Sequence, residues 1–311
     1  MTASIETAGT RTGIVAGSAS LAPLVQHVNR AFHARHPEWS FTPSLAGAAQ
    51  GLASLIHGSA ALSLQRREIS DEESVPYFKG VGHRPRGVRV ALAGPEAPDD
   101  EVGAVALFVH ADNPLVSLDL VQAARVFTEG HADGDCVTWG QLNVRDAAWQ
   151  SRVIRPLLRE EGSALGTHLR RHALGGRGWT AGCGQFDATR EMLAALAGEP
   201  SGIAFAPLGV AGNVPGIRPL ALAMAPSAPP VACSGATIAD GSYPLAGGIT
   251  LYVRPNERGG LTPQAWAYAE FLLSKEGQQA IAQAGSGYLP LDPASLHAAR
   301  TALLSLIEEK A

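Results

Sequence analysis

The stretch GIVAGSASLAP, residues 13–23, decides the fold, because its apolar start, glycine-serine turn and helix-forming end mark a strand that runs into a helix. Beyond it, apolar residues recur at a spacing of three and four, which places them on one helix face. These residues are Leu21, Leu24, Val25, Val28 and Phe32. A strand, a small-residue turn and an amphipathic helix in this order predict one unit of an α/β fold.

The same order of elements recurs further along the chain. A second strand at residues 41–45 leads through the loop Ala46-Gly47-Ala48-Ala49 into a short helix, and a third strand follows at residues 60–64. A later strand at residues 153–158 runs through the loop 159–163 into another helix. Strands that alternate with helices in this way predict an α/β protein throughout.

Length and charge limit the classes of protein to which the chain can belong. Its 311 residues exceed the usual size of one domain, so we expect two. Hydrophobic residues make up 46% and charged residues 17%, which is typical of a folded globular chain. The formal net charge of −4 argues against a nucleic-acid binder, because such a surface needs many cations against phosphates. A small local anion site remains compatible with this composition.

The first residues of the chain bear on the cellular compartment in which the protein works. Residues 1–11 are polar and have no apolar core of the kind that an export signal carries. Two interpretations follow, a chain whose export signal has been removed and a protein that stays inside the cell.

The cysteines allow at most one disulfide. Cys136, Cys183 and Cys233 have a spacing that matches no zinc motif. Either Cys136 and Cys183 form a bridge, or all three residues are inert buried thiols, and the sequence leaves both interpretations open.

Enzyme motifs are absent from the sequence. The ten histidines occur without a Gly-x-Ser-x-Gly or His-Glu-x-x-His pattern. His168 and His172 lie four residues apart on one helix face, but no third metal ligand is identifiable, so an exposed helix face is the simpler interpretation. We therefore expect no enzyme activity, no metal and no cofactor.

Several segments, in their order and spacing, resemble the phosphate-binding (PstS-like) periplasmic solute-binding proteins of bacterial ABC transporters. The resemblance covers most of the chain. It rests on GSASLAP (residues 17–23), VALFVHADNP (105–114), VFT (126–128) with TWGQL (138–142), DGSYPL (240–245), LYV (251–253), FLLSKEGQ (271–278) and GYLPL (287–291).

This resemblance implies a two-lobed α/β fold of the periplasmic-binding-protein type II class, each lobe a mixed sheet flanked by helices, with the ligand cleft between the lobes. Lobe 1 is expected to be discontinuous, from residues 1–110 and 211–311, and lobe 2 to comprise residues 111–210. It also implies a periplasmic or extracytoplasmic monomer with a small phosphate-like ligand and, where linked to transport, an ABC transporter permease as its partner.

In such proteins helix N-termini hold the anion, because their unpaired N–H groups and positive dipole end face it. The resemblance places ligand contacts at three helix starts and after the third strand. The candidates are Ser18, Ala19, Ser20, Gly47, Ser63, Arg67, Arg159, Ser163, Ala164 and Leu165. Arg159 would supply paired donors and Ser163 a hydroxyl.

Each candidate also has a simple structural interpretation. In this interpretation the serines are N-caps, a common role for serine, and Arg159 is a surface residue that forms an ion pair with Glu160 or Glu161. Arg66 and Arg67 either rebuild the site around another anion or form a solvated loop.

Three segments depart from the family pattern. Ala164 and Leu165 stand where the family has Gly and Thr, and the loop around Gly47 offers backbone N–H groups only. The family's Asp at the end of the third strand, which accepts the proton of monohydrogen phosphate, matches Ala61. Sulfate, an organic phosphonate and a carboxylate are therefore alternative ligands to phosphate.

The resemblance as a whole implies a solute-binding protein that clamps a small anion, phosphate or a related oxyanion, between two lobes for ABC-transporter uptake. An alternative stays open, in which a repurposed sensor or scaffold binds a different ligand, or none, without a link to transport.

Overall fold

The computed structural model describes residues 11–95, 103–212, 214–256, 259–285 and 287–308. Residues 1–10, on which the expectation about an export signal rests, lie outside these ranges. Within the ranges, no helix is both long enough and apolar enough to cross a membrane.

The chain divides into two compact units, Met1–Ala91 with Ile249–Ala311, and Leu92–Gly248. The expected boundaries at residues 110 and 211 differ from this division. The reason is that strands Val105–His110 and Ile217–Ala223, expected in the first lobe, pair with strands of the second unit's sheet. Apolar runs show that these segments are strands, but their sequence does not show which sheet they join.

Unit 1 is a six-stranded mixed sheet with the order β12-β4-β11-β3-β1-β2. Its strands are β1 (Arg11–Gly17), β2 (Trp39–Ser44), β3 (Leu62–Gln65), β4 (Arg86–Ala93), β11 (Gly248–Val253) and β12 (Tyr288–Leu289). Its helices are α1 (Ala22–Arg35), α2 (Ala48–His57), α3 (Asp71–Val81), α9 (Pro263–Leu272), α10 (Lys275–Gln283) and α11 (Pro293–Glu308).

The register of unit 1 brings three turns to one end of the sheet. Strand β1 pairs in parallel with β2 on one side and with β3 on the other, with Gly17 opposite Leu64. The carboxyl ends of the three strands therefore lie at the same edge. The apolar face expected for the first helix, from Leu21 to Phe32, is buried as predicted.

Unit 2 is a second six-stranded mixed sheet, with the order β6-β10-β5-β9-β7-β8. Its strands are β5 (Val105–His110), β6 (Ser117–Asp119), β7 (Arg155–Arg159), β8 (Gly184–Phe186), β9 (Gly202–Pro207) and β10 (Ile217–Ala223). Its helices are α4 (Leu120–Phe127), α5 (Ala164–His172), α6 (Thr189–Ala197), α7 (Leu208–Ala211) and α8 (Gly235–Ala239). Met192, Leu193 and Leu196 of α6 pack in its core.

Helix α3 is absent from the sequence-based expectations. It begins with a capping box, in which Ser70 Oγ accepts the N–H of Glu73 and the Glu73 carboxylate accepts the N–H of Ser70. This Ser-x-x-Glu pattern is a recognised helix start and was the available signal. Pro76 inside the helix and a weak apolar face obscured it.

The cysteines are free thiols, so the Cys136–Cys183 bridge does not form. Burial is the main cause that raises the pKa of all three, to about 12 for Cys183 and Cys233. The second interpretation, three inert buried thiols, holds in that no bridge forms, but only Cys136 is buried, whereas Cys183 and Cys233 are half-buried.

Candidate anion site

The turn between β1 and the first helix is held rigidly against β3. The N–H of Ser18 donates to the carbonyl oxygen of Leu64 at 3.0 Å. Gly17 has a φ of +144°, and a Cβ atom there would overlap that same Leu64 oxygen. Only glycine therefore permits β1 to turn at this point while it stays paired with β3.

Ser18 does not act as a simple N-cap. Its backbone is extended where the short 3-10 turn Ala19–Leu21 begins, but its side chain makes no capping hydrogen bond. The fully buried Ser18 Oγ accepts the N–H of Arg66 at 3.5 Å. The hydroxyl proton is thus left for another acceptor. Ser20 lies two residues further along, and its carbonyl accepts the Tyr288 hydroxyl at 2.8 Å.

The start of α2 joins the same turn. The N–H of Gly47 donates to the carbonyl of Gly17 at 3.1 Å, and the helix begins at Ala48. The first N–H groups of a helix have no acceptor within it. The residues that follow Gly47 carry these unpaired N–H groups. The expected contribution of this loop, backbone donors only, is compatible with this arrangement.

The carboxyl end of β3 completes this group of segments. Gln65 Nε2 donates to the carbonyl of Ala48 and to Ser63 Oγ, at 3.1 Å each. Ser63 is fully buried, and a Cβ atom on Gly51 of α2 would lie 2.6 Å from its hydroxyl. We call Gly17–Ser18, Gly47–Ala48, Ser63 and Gln65–Arg66 together the β3 anion site.

Arg66 joins these segments through its backbone N–H, which donates to Ser18 Oγ, and it carries a positive charge. It is 1% exposed and ranks among the largest fully buried side chains. A charge in such surroundings interacts with an anion much more strongly than a charge in water does. The prediction of a solvated loop is wrong for Arg66.

Arg67 has a different environment. Its guanidinium makes two hydrogen bonds of 2.6 Å to the Glu73 carboxylate and so braces the start of α3. A ligand role for Arg67 stays a prediction.

Exchanging Glu73 for glutamine should destabilise the folded chain by about 1 kcal/mol at neutral pH, because the pairing with Arg67 is lost while a capping oxygen is kept. Burial acts to raise the pKa of Glu73, but hydrogen bonds from Arg67 and Ser70 and the charge of Arg67 outweigh it and hold the pKa below its ordinary value of 4.5. The carboxylate therefore stabilises the fold above that value, and the contribution fades as pH falls below it. Urea unfolding at neutral and acidic pH measures this.

Glu72→Gln is the matched control, since Glu72 is exposed in the same turn. Equal losses for the two variants at neutral pH would contradict the assignment.

Ala61 does not lie where the family comparison placed it. It precedes β3, and its carbonyl accepts the N–H of Arg254 at 2.9 Å. It is therefore at the opposite end of β3 from Ser18. The carboxyl end, where an acceptor for a protonated anion was expected, is formed by Gln65 and Arg66.

In unit 2, the end of β7 and the starts of two helices come together. Arg159 closes β7, and its guanidinium donates from Nε to the carbonyl of Phe186 at 3.2 Å and from Nη1 to Thr189 Oγ1 at 3.1 Å. These bonds hold Arg159 beside the first residue of α6. Its expected role as an anion ligand stays a prediction.

Ser163 caps α5. Its hydroxyl accepts the N–H of Gly166 at 3.0 Å and donates to the carbonyl of Glu160 at 2.6 Å. Ala164 and Leu165 are the first residues of the helix, and the Leu165 side chain is buried. These residues can therefore offer a ligand their backbone N–H groups, as the first residues of a helix do.

The two histidines on α5 have unequal surroundings. Their rings lie 4.7 Å apart, but His168 is only 5% exposed, whereas His172 is exposed. The interpretation of both as an exposed face is therefore wrong for His168.

Comparisons with known proteins identify the family of this chain. Residues 2–276 match the family model of the PBP superfamily domain. The phosphate-binding protein PstS of Pseudomonas aeruginosa is 25% identical over 278 residues, which cover 88% of this chain and 81% of that protein.

Two solved structures share the fold. PstS from Borrelia burgdorferi matches with a TM-score of 0.56 at 14% identity, over 91% of this chain and 99% of that one. An ABC-type phosphate transport receptor from Vibrio cholerae matches with a TM-score of 0.55 at 16% identity, over 89% and 99%. The predicted fold class, mixed sheets flanked by helices as in periplasmic binding proteins, is thereby confirmed. The chain belongs to the PBP superfamily.

Proposed function

We propose that this protein binds a small oxyanion, phosphate or a close relative, as the solute-binding component of an ABC importer. The observation that carries the proposal is the β3 anion site, where the backbone of a buried arginine, a buried hydroxyl and the turn before a helix lie together, with the Arg66 N–H donating to Ser18 Oγ and the Gly47 N–H to the carbonyl of Gly17. Binding of this kind needs no catalytic group, and the proposal assigns none.

The chemistry of the site suits an oxyanion. The Ser18 hydroxyl and the first N–H groups of α2 donate to ligand oxygens, and the positive end of the helix dipole acts in the same direction. Arg66 supplies a full positive charge in a buried setting. Donors and charge of this sign select anions over neutral or cationic solutes.

Unit 2 is expected to contribute Arg159 and the start of α5 at Ser163, Ala164 and Leu165. In the family to which the sequence bears resemblance, ligand shifts the protein toward a closed form that a membrane permease recognises, and the protein works outside the cytoplasmic membrane. We propose the same for this chain. Small-angle scattering with and without saturating ligand tests the closure, and identical profiles would contradict it.

Calorimetric titration tests the function itself. The chain is unfolded, dialysed to remove carried-over ligand, refolded, and titrated with phosphate, sulfate, molybdate and small phosphonates. Saturable binding of at least one of these anions supports the proposal. Silence toward all of them would overturn it and would favour a repurposed sensor or scaffold.

Exchanging Arg159 for alanine should weaken anion binding about tenfold, because a charged donor pair is removed. Arg155→Ala is the matched control, since Arg155 lies on the same strand with its side chain exposed. Titration of both variants with the anion that the unaltered chain binds measures the difference. Unchanged affinity in Arg159→Ala would remove this residue from the site.

A further inference from the structure

Helix α3 packs against unit 1 with one side only. Tyr77 is fully buried, and its hydroxyl donates to the carbonyl of Val253 at 3.1 Å. On the same side, a Cβ atom on Gly80 would lie 2.6 Å from Ile56 of α2, so the two helices are in close contact there. These contacts fix the rotation of α3 about its axis. Its other side therefore faces outward.

Two apolar side chains lie together on this outward side. Val75 is 54% exposed and Phe78 53% exposed, and their spacing of three residues makes them neighbours on the helix surface. Together with Asp71, Lys79 and Arg84, among others, they line a shallow groove of about 420 Å³. A single exposed apolar residue is ordinary, whereas an apolar pair that lines a groove is typical of a surface that another molecule covers.

The charges on this side are separated along the helix. Asp71 and Glu72 stand in the first turn, Lys79 in the last turn and Arg84 just beyond it, and all four are exposed. Lys79 and Arg84 make no hydrogen bond or ion pair with any residue of the described part of the chain. Acidic residues first and basic residues last also suit the dipole of the helix itself, so this order alone says nothing about a partner. The apolar pair between the two charged ends is what points to one.

A second copy of the chain matches this pattern. If two copies of α3 pack antiparallel about a two-fold axis, the acidic start of each helix faces the basic end of the other, and the apolar pairs meet between them. Val75 lies four residues from Asp71 and four residues from Lys79. An axis at Val75 therefore forms two equivalent Asp71–Lys79 ion pairs at once. A parallel arrangement would instead place like charges side by side.

We propose that the outward side of α3 is a self-association surface, through which two copies of this protein form an antiparallel dimer. Val75 and Phe78 supply its apolar contact, and the two Asp71–Lys79 ion pairs set its direction. One helix face is smaller than the interface of a stable dimer, so the dimer is weak, with a dissociation constant of about 10–100 μM. The monomer that the family resemblance implies is then the form at low concentration.

Sedimentation velocity of the full chain, over a concentration series that spans this constant, provides the first test. The average mass should rise from that of a monomer toward that of a dimer. Phe78→Asp should weaken the association at least tenfold, because it places a charge in the apolar contact. Val137→Asp is the matched control, since Val137 is 57% exposed in unit 2 and should leave the association unchanged. A monomer at every concentration, or equal losses in the two variants, would overturn the proposal.

Charge reversal tests the antiparallel direction. Asp71→Lys and Lys79→Glu should each weaken self-association about tenfold, because each variant places like charges together in both ion pairs. An equimolar mixture of the two variants restores both pairs and should associate as the unaltered chain does. Circular dichroism establishes that each variant is folded. A mixture of folded variants that stays monomeric, or a single reversal that leaves the association unchanged, would contradict the arrangement.

Discussion

Replacing Arg66 with methionine should weaken the binding of inorganic phosphate by about a hundredfold, the largest effect on affinity that we expect from one side chain. Removing one member of a buried charge pair costs about 3 kcal/mol or more, which corresponds to this factor. Methionine has a similar length, so the change removes charge and donors with little change in volume. Isothermal titration with phosphate measures the effect.

Arg67→Met is the control for this prediction, one residue further along. Because the Arg67 guanidinium pairs with Glu73, its loss should lower the free energy of unfolding by about 1 kcal/mol and leave the affinity for phosphate almost unchanged. If Arg67→Met loses affinity and Arg66→Met does not, the cation of the site is Arg67, as the sequence alone suggested.

Exchanging Gly17 for alanine should destabilise the folded chain by about 3–4 kcal/mol, the largest effect on stability that we expect. The residue has a φ of +144°, and the added Cβ atom would overlap the backbone carbonyl of Leu64, which has no freedom to move within the paired strands. Chemical denaturation followed by circular dichroism measures the loss.

Gly82→Ala separates the overlap from the backbone strain. Gly82 ends α3 with a φ of +82°, and no heavy atom lies within 4 Å of the Cβ position. Its exchange should therefore cost only about 1–2 kcal/mol for the left-handed conformation. Equal losses at Gly17 and Gly82 would show that the contact with Leu64 relaxes and that the turn is less rigid than described.

Local patterns predicted most elements of unit 1. The apolar spacing from Leu21 to Phe32 predicted the buried face of α1, and the small-residue loop at residues 46–49 predicted the start of α2. Both predictions depend on neighbours within one or two turns, which the sequence shows directly. The Ser70 capping box was equally local, but without a clear apolar face it was not taken as a helix.

Long-range pairing was predicted less well. The strand Val105–His110 was recognised, yet it was assigned to the first lobe, because the sheet that a strand joins depends on partners distant in sequence, here Ile217–Ala223 and Gly202–Pro207. Ala61 was likewise placed at the wrong end of β3, since a shift of a few residues decides which end of a strand faces a site.

The sequence by itself therefore determined the fold class and the resemblance to phosphate-binding proteins, and it predicted a ligand role for Ser18. Only the tertiary structure decided that the Gln65 amide contacts the start of α2, that the Arg66 N–H contacts Ser18 Oγ, and that the Arg67 guanidinium pairs with Glu73. The physical reason is that helix and strand periodicity are written in neighbouring residues. Burial and hydrogen-bond partners, in contrast, arise only when β3 pairs with β1 and α2 packs across their ends.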